Sequence, residues 1–207
     1  MKKNFYALIM MAAALSACGL IGLPEEPQEY PYSKIKILGV REGCDTAEDE
    51  DDDEYDFEGY TNLFDGNYLN KWCSVEDFGG SYEERVSSQG GFDYIIWKTE
   101  SKIVLSGYML TTGNDTEVFP GRNWKTWTIC GANFASDRDA TYDATGWTLI
   151  QRIENDNVLQ ATNNTDYFYE VSGNNIAYQY YRLVIEAIQS TTDNVQQMSE
   201  MTLYTKK

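Results

Sequence analysis

Residues 178–188 read YQYYRLVIEAI, and this stretch decides the class of the fold. Tyr181, Leu183 and Ile185 fall on one face of an extended chain, whereas Arg182 and Glu186 fall on the opposite face. Side chains alternate between the two faces of a β-strand, so this period of two indicates a strand with one face buried. The stretch therefore predicts one strand of a sheet that covers a hydrophobic core.

Similar segments recur along the chain between clusters of Gly, Asn, Asp and Ser. No segment of ten or more residues shows sustained helical periodicity, so the pattern predicts strands and turns throughout. The predicted strands are 33–40, 94–97, 102–111, 125–130, 147–153, 167–171, 178–188 and 198–204. Regular strands joined by turns favour an all-β, antiparallel β-sandwich of the jelly-roll type.

The composition excludes several classes of function. The 207 residues contain no histidine, so a serine–histidine–acid triad, a cysteine–histidine dyad and a histidine-ligated zinc ion are excluded. There are 33 acidic and 16 basic side chains, and the net charge of −17 argues against nucleic acid as a partner. Carboxylates are scattered among predicted loops with no long insertion to form a cleft, so we expect no glycosidase or other enzyme activity.

The amino terminus has the pattern of an export signal. Lys2 and Lys3 precede a short apolar run that ends in Leu-Ser-Ala-Cys at residues 15–18, and this resembles a bacterial lipoprotein signal. The resemblance implies that residues 1–17 are removed and that Cys18 carries lipid, which anchors the protein in the outer membrane of the cell envelope, displayed at the surface. The alternative is an ordinary secretory signal with a cysteine at its end.

Two polar segments follow the signal. Residues 18–31 contain three prolines and are expected to form an extended tether to a domain spanning 32–207. Nine of the eleven residues in 48–58 are acidic, so residues 45–58 are expected to form a solvated loop. With Cys18 lipidated, Cys44, Cys73 and Cys130 remain; a Cys73–Cys130 bridge and buried free thiols are both open.

Several short motifs follow one another along the chain. They are NLFDGN at 62–67, KWCS at 71–74, YMLTTGND at 108–115, FPGR at 119–122, TWTI at 126–129, GWTL at 146–149 and YYRL at 180–183. In this order they resemble discoidin-like domains, a family that includes the coagulation-factor C-type domains and the family 32 carbohydrate-binding modules. The resemblance implies an eight-stranded jelly roll with the galactose-binding-like fold. Trp72, Trp127 and Trp147 match core tryptophans of the family.

The resemblance also implies a structural calcium ion. The matching ligands are the Phe64 carbonyl, Asp65 or Asn67, Asn70, and Glu200 with the Met201 carbonyl. These oxygen ligands suit calcium, although a neutral Asn67 reduces the negative charge of the site. Alternatively, Asp65 and Gly66 simply form a turn and Glu200 faces water.

The loop ahead of residue 125 carries the candidate ligand-binding residues. Trp124 stands where the family usually has proline, so its indole is expected to be exposed and to stack on a sugar ring; packing back onto the loop is the alternative. The polar contacts would come from Arg122, Asn123, Asn114 and Asp115, and further aromatic candidates are Phe78, Tyr82 and Phe119.

Galactose-binding members use a histidine and an arginine at positions that hold Cys73 and, approximately, Thr112 here. Recognition of galactose in the family manner is therefore not expected, because both lack the polar reach. The sequence and the resemblance together predict a non-catalytic, lipid-anchored module that binds a glycan or glycoconjugate. The alternative is a structural or adhesive lipoprotein that binds another protein through the same sandwich.

Overall fold

The computed structural model describes residues 27–40, 58–74, 80–88 and 90–206. The predicted signal peptide with Cys18, most of the tether, the acidic segment before Glu58, Cys44 and Phe78 lie outside these ranges. Within them, no helix has both the length and the apolar character needed to cross a membrane.

The described residues form ten strands and one α-helix. The strands are β1 (Gln28–Glu29), β2 (Ile35–Val40), β3 (Trp72–Cys73), β4 (Asp93–Thr111), β5 (Trp124–Ala132), β6 (Thr148–Ile153), β7 (Asp166–Glu170), β8 (Tyr178–Ile188), β9 (Gln197–Met198) and β10 (Glu200–Lys206). Helix α1 spans Tyr82–Ser88, and 3-10 turns occupy Tyr32–Lys34, Tyr60–Phe64, Pro120–Arg122 and Asp137–Asp139.

Eight of these strands form two antiparallel layers. One layer has the order β1-β10-β4-β7, and the other has the order β2-β4-β8-β5-β6. Strand β4 belongs to both: residues 93–99 pair mainly with β2 and β8, whereas residues 104–111 pair with β10 and β7. The predicted all-β sandwich is confirmed. The short strands β3 and β9 pair with each other beside it.

Aromatic side chains fill the space between the layers. Trp72, Trp124 and Trp127 are fully buried and meet edge to face, with ring centroids 6.3 Å apart for Trp72–Trp124 and 6.0 Å for Trp124–Trp127. Tyr169 continues the cluster 5.2 Å from Trp127. Edge-to-face packing of this kind stabilises a core beyond the burial of apolar area. The core assignment of Trp72 and Trp127 is confirmed, whereas Trp147 is only half-buried and packs on Phe134 in a smaller cluster.

The position of Trp124 differs most from the one predicted. It does not lie on a loop: it is the first residue of β5, where it pairs with Ile188 of β8. Its indole is fully buried, and its Nε1 donates a hydrogen bond to Gln196 Oε1 at 2.6 Å. The prediction of an exposed, sugar-stacking Trp124 is wrong, because no face of the ring reaches solvent. Tyr82, a lesser candidate, is also buried.

Three other features differ from those predicted. Gln28 and Glu29 pair with β10 and Tyr30 is buried, so these three residues, which were assigned to the tether, belong to the folded domain. Residues 94–97 and 102–111, predicted as two strands, belong to one continuous strand, β4. Helix α1 was not predicted, because its seven residues are too few to show a periodic pattern.

Replacing Trp124 by alanine should lower the free energy of unfolding by about 3–5 kcal/mol, since a buried indole is removed and Gln196 loses its donor. Denaturant unfolding followed by circular dichroism would measure the change. The control Leu149→Ala removes a side chain that is 59% exposed, and it should change stability by only about 0.5 kcal/mol. Equal stabilities for the two variants would contradict the buried position of Trp124.

Candidate functional site

The candidate site lies at one edge of the sandwich, where two long connections meet. Strand β4 ends at Thr111 and β5 begins at Trp124, while β8 ends at Ile188 and β10 begins at Glu200. Thr111 pairs with Glu200 and Trp124 pairs with Ile188. The sheet register therefore brings the loops 112–123 and 189–196 together, and we call this end of the molecule the loop edge.

A shallow cavity of about 470 Å³ opens between these two loops, and we call it the loop site. Val118 and Phe119 border it and are 69% and 38% exposed. The guanidinium of Arg122 lies 4.0 Å from the centre of the Phe119 ring, and its Nε lies 3.2 Å from Asp193 Oδ2. The lining of the loop site thus includes an exposed aromatic ring and the Asp193 carboxylate, and Arg122 contacts both of them from outside the lining.

The two loops are held together by backbone hydrogen bonds. The amide of Ser190 donates to the Gly121 carbonyl at 2.8 Å, and the amide of Gln189 donates to the Asn123 carbonyl at 2.9 Å. A side chain at residue 121 would place its Cβ within 2.6 Å of the Ser190 Cβ, so this close approach requires glycine. The walls of the loop site are therefore fixed by packing and by main-chain hydrogen bonds.

The other predicted ligand-binding residues have different positions. Asn123 is buried and donates from Nδ2 to the Gln160 carbonyl, so its predicted contact with a ligand is wrong. Asn114 is exposed and its Nδ2 donates to the Leu69 carbonyl at 2.7 Å, which links two loops. Of the predicted polar set, only Arg122 takes part in the Phe119–Asp193 arrangement.

Asp115 belongs to an ion cluster centred on Lys71. The Lys71 side chain is only 4% exposed, and its Nζ lies 2.7 Å from Asp115 Oδ2 and 3.3 Å from Glu58 Oε1. It also donates to Gln197 Oε1. Asp115 thus anchors its loop to the rest of the loop edge. Sequence reasoning missed Lys71, because lysine is almost never buried and no pattern marks the exception.

A second group of polar residues surrounds Glu200. Gly66 adopts a left-handed conformation, with φ of 78°, and turns the chain so that the Asn67 amide donates to both Asp65 Oδ1 (2.7 Å) and Glu200 Oε1 (2.9 Å). Asn70 Nδ2 donates to Asp65 Oδ2 at 2.8 Å. The resemblance-based ligands Asp65, Asn67, Asn70 and Glu200 are therefore joined in one hydrogen-bonded cluster, with Phe64 and Met201 adjacent in the chain.

This cluster fits a hard cation. Glu200 Oε2 and Asn70 Oδ1 are buried and accept no hydrogen bond, which is costly unless another donor or a cation is supplied. Burial, together with the adjacent Asp65 carboxylate, raises the pKa of Glu200 to about 9. No group of three or more carboxylate, thiol or imidazole side chains suited to a metal occurs among the described residues, but calcium also accepts amide and carbonyl oxygens.

Comparison with known proteins identifies the fold. No family model and no curated protein matches the sequence. A SusE-like protein has a TM-score of 0.61 at 14% identity, over 88% of this chain and 68% of that one. An F5/8 type C domain from Bacteroides fragilis has a TM-score of 0.58 at 16% identity, over 89% and 99%. A family 32 carbohydrate-binding module of Clostridium perfringens, solved in complex with galactose, has a TM-score of 0.52 at 11% identity, over 86% and 99%.

The chain thus has the galactose-binding-like β-sandwich fold shared by discoidin-like domains and family 32 modules. The two positions where galactose-binding members carry histidine and arginine hold Cys73 and Thr112, and both side chains are buried. Thr112 Oγ1 donates to the Thr162 carbonyl. Neither side chain reaches the surface of the loop edge.

The two described cysteines, Cys73 and Cys130, are buried free thiols. They do not form the Cys73–Cys130 disulfide that the sequence left open. Both thiols pack as small apolar side chains instead. Burial raises the pKa of the Cys73 thiol to about 12, with a smaller contribution from the Glu58 carboxylate.

Cys73 should therefore resist alkylation in the folded protein, since the reactive thiolate is not formed near neutral pH. We expect iodoacetamide at about pH 8 to leave Cys73 unmodified in native protein and to modify it fully in denaturant, where its pKa returns to about 8.5. Peptide mass mapping would measure both states. Rapid labelling of Cys73 in the native state would contradict its burial.

Proposed function

We propose that this protein is a non-catalytic glycan-binding module of the cell envelope, and that it binds its ligand at the loop site. The observation that carries the proposal is that the exposed Phe119 ring and the Asp193 carboxylate line the loop-site cavity, with the Arg122 guanidinium in contact with both. An aromatic face packs on the apolar face of a sugar, and a guanidinium with a carboxylate supplies a donor and an acceptor for hydroxyl groups. The fold shared with carbohydrate-binding modules supports this assignment.

The charges at the loop edge favour neutral sugars. Arg122 is paired with Asp193, and Lys71 is flanked by Asp115 and Glu58, so neither cation is left to attract an anionic group. The chain also carries a net charge of −17, which repels anionic ligands at long range. We therefore infer that uronic acids, sialic acids and sulfated glycans bind more weakly than neutral ones.

A binding role also suits the carboxylates of the loop edge better than catalysis does. Hydrolysis of a glycosidic bond normally requires two carboxyl groups that flank the bond, one as an acid and one as a base or nucleophile. Asp193 forms an ion pair with Arg122, and Asp115 forms an ion pair with Lys71. Their ion pairs hold the loops in place and, among the residues that the structure describes, leave no such pair of carboxyl groups facing the loop site.

The proposed function also includes a lipid anchor in the membrane and a structural calcium ion. The Leu-Ser-Ala-Cys motif at residues 15–18 supports lipid attachment at Cys18 and a location in the outer membrane. Asp65, Asn67, Asn70 and Glu200, with the carbonyls of Phe64 and Met201, would hold calcium. A bound ion would neutralise the Asp65–Glu200 pair and fix the loop 64–70 to the start of β10.

Replacing Phe119 by alanine should reduce glycan retention at least about tenfold, because the stacking surface is lost. Arg122→Ala should weaken retention as well. An array of neutral and acidic glycans probed with the full chain would measure both effects. Phe168→Ala is the control, since Phe168 is 37% exposed against 38% for Phe119 but lies on β7 and does not line the cavity. Failure of the unmodified protein to retain any neutral glycan, or full retention by Phe119→Ala, would refute the proposed site.

Millimolar calcium should raise the unfolding temperature, since a ligand at 100 times its dissociation constant stabilises the folded state by about 2.7 kcal/mol. Glu200→Gln should abolish this shift, whereas the control Glu170→Gln, an exposed residue of β7, should retain it. Differential scanning calorimetry with calcium and with a chelator would give the comparison. An unfolding temperature that responds neither to calcium nor to the chelator would contradict the proposed calcium site.

A further inference from the structure

A second, larger cavity lies beside the loop site, and we call it the side cavity. Its volume is about 690 Å³, and it is bordered by α1, by the residues just before β4, and by parts of β5, β6 and β8. Tyr82, Val86 and Ile188 lie at its base and are buried. The ring of Phe92 lines the cavity and is 36% exposed.

The side cavity and the loop site adjoin each other. Ser190 lines both, Thr191 lines the side cavity, and Thr192 lines the loop site. On the opposite wall the adjacent residues Ser81 and Gly80 line the side cavity and the loop site respectively. Among the described residues, the two cavities therefore meet at Ser190 and at the Gly80–Ser81 step.

This shared boundary is rigidly held. The Ser190 hydroxyl accepts hydrogen bonds from the amides of Thr192 and Asp193. Arg85 of α1 is fully buried, forms an ion pair with Asp93 at 2.5 Å, and donates from Nε to the Asn194 carbonyl at 2.7 Å. Because breaking one partner of a buried ion pair is strongly destabilising, the boundary should keep its shape when ligand binds.

The chemistry of the side cavity suits uncharged hydroxyl groups. Arg152 pairs with Glu186 at 2.6 Å and with Glu154 at 3.0 Å, so its charge is balanced. Asn155 adds an amide to the lining, and Lys125 and Glu83 add one charge of each sign, so the described charges of the cavity are mixed. An apolar base, one exposed ring and a mixed polar rim form the kind of pocket that binds a sugar.

We propose that the ligand is a neutral oligosaccharide that extends from the loop site across Ser190 into the side cavity, with Phe92 as a second stacking platform. This inference rests on the proposed glycan-binding function and adds the length of the ligand to it. A single sugar would occupy the loop site alone, whereas a chain of several residues would contact both cavities and bind more tightly.

The test measures how retention depends on glycan length. The full chain is applied to immobilised neutral glycans of one to six residues that end in galactose, N-acetylgalactosamine, glucose or mannose. For the glycan type that is retained, we expect at least about a tenfold gain from one residue to the longer chains. Phe92→Ala should bring the ratio of long-chain to single-sugar retention close to one. Ser87→Trp places a large side chain from α1 in the side cavity, and it should lower the ratio in the same way.

Phe168→Ala serves as the control and should keep the length dependence of the unmodified protein. Thermal unfolding of each variant would show that it is folded. Equal retention of single sugars and long chains, or an unchanged ratio in both Phe92→Ala and Ser87→Trp, would overturn this inference and leave the loop site as a binding site. Absence of retention for every neutral glycan would overturn the proposed function and this inference with it.

Discussion

The membership of β4 in both layers is the constraint on which the rest of the structure depends. Its first half is hydrogen-bonded to β2 and β8, and its second half to β10 and β7, so the two layers cannot shift against each other without breaking a strand. Trp97 on the first half stacks on Tyr181 with centroids 5.6 Å apart and also contacts Phe64, next to Asp65. The same strand thus positions the core, the loop 64–70 and the beginning of the loop edge.

Strands in which polar and apolar residues alternate regularly were predictable from the sequence. Strands β8 and β10 were recognised from the alternation of polar and apolar residues. Burial alternates less than the residue types do, since Tyr180 and Val184 of β8 and residues 200–203 of β10 are all buried. Trp124 could not be placed, because the position of a strand's first residue depends on pairing with Ile188, which is distant in the sequence. Tyr30 was missed for the same reason: a proline-rich context suggests a tether, but the pairing of its neighbours with β10 draws the ring into the core.

The candidate site was only partly predictable, since residue type does not determine the direction in which a side chain points. Asn123, Asp115 and Arg122 are all polar residues of one loop region, yet the first is buried and the second is bound to Lys71. Buried backbone groups of compact loops require hydrogen-bond partners, and nearby polar side chains supply them. Arg122 does not itself line the loop site, but it contacts two residues that do, Phe119 and Asp193. Asp193 lies 71 positions along the chain, and no local pattern connects it to the site.

Strand β1 pairs with Tyr204 and Thr205 near the carboxyl end of β10, whereas Glu200 begins that strand at the loop edge. At about 3.4 Å per residue, the six steps from Glu200 to Lys206 separate the two ends of the sandwich by about 20 Å. The polypeptide consequently enters the domain at the pole opposite both cavities. With the lipid attachment proposed at Cys18, the proposed binding surface would therefore face away from the bilayer.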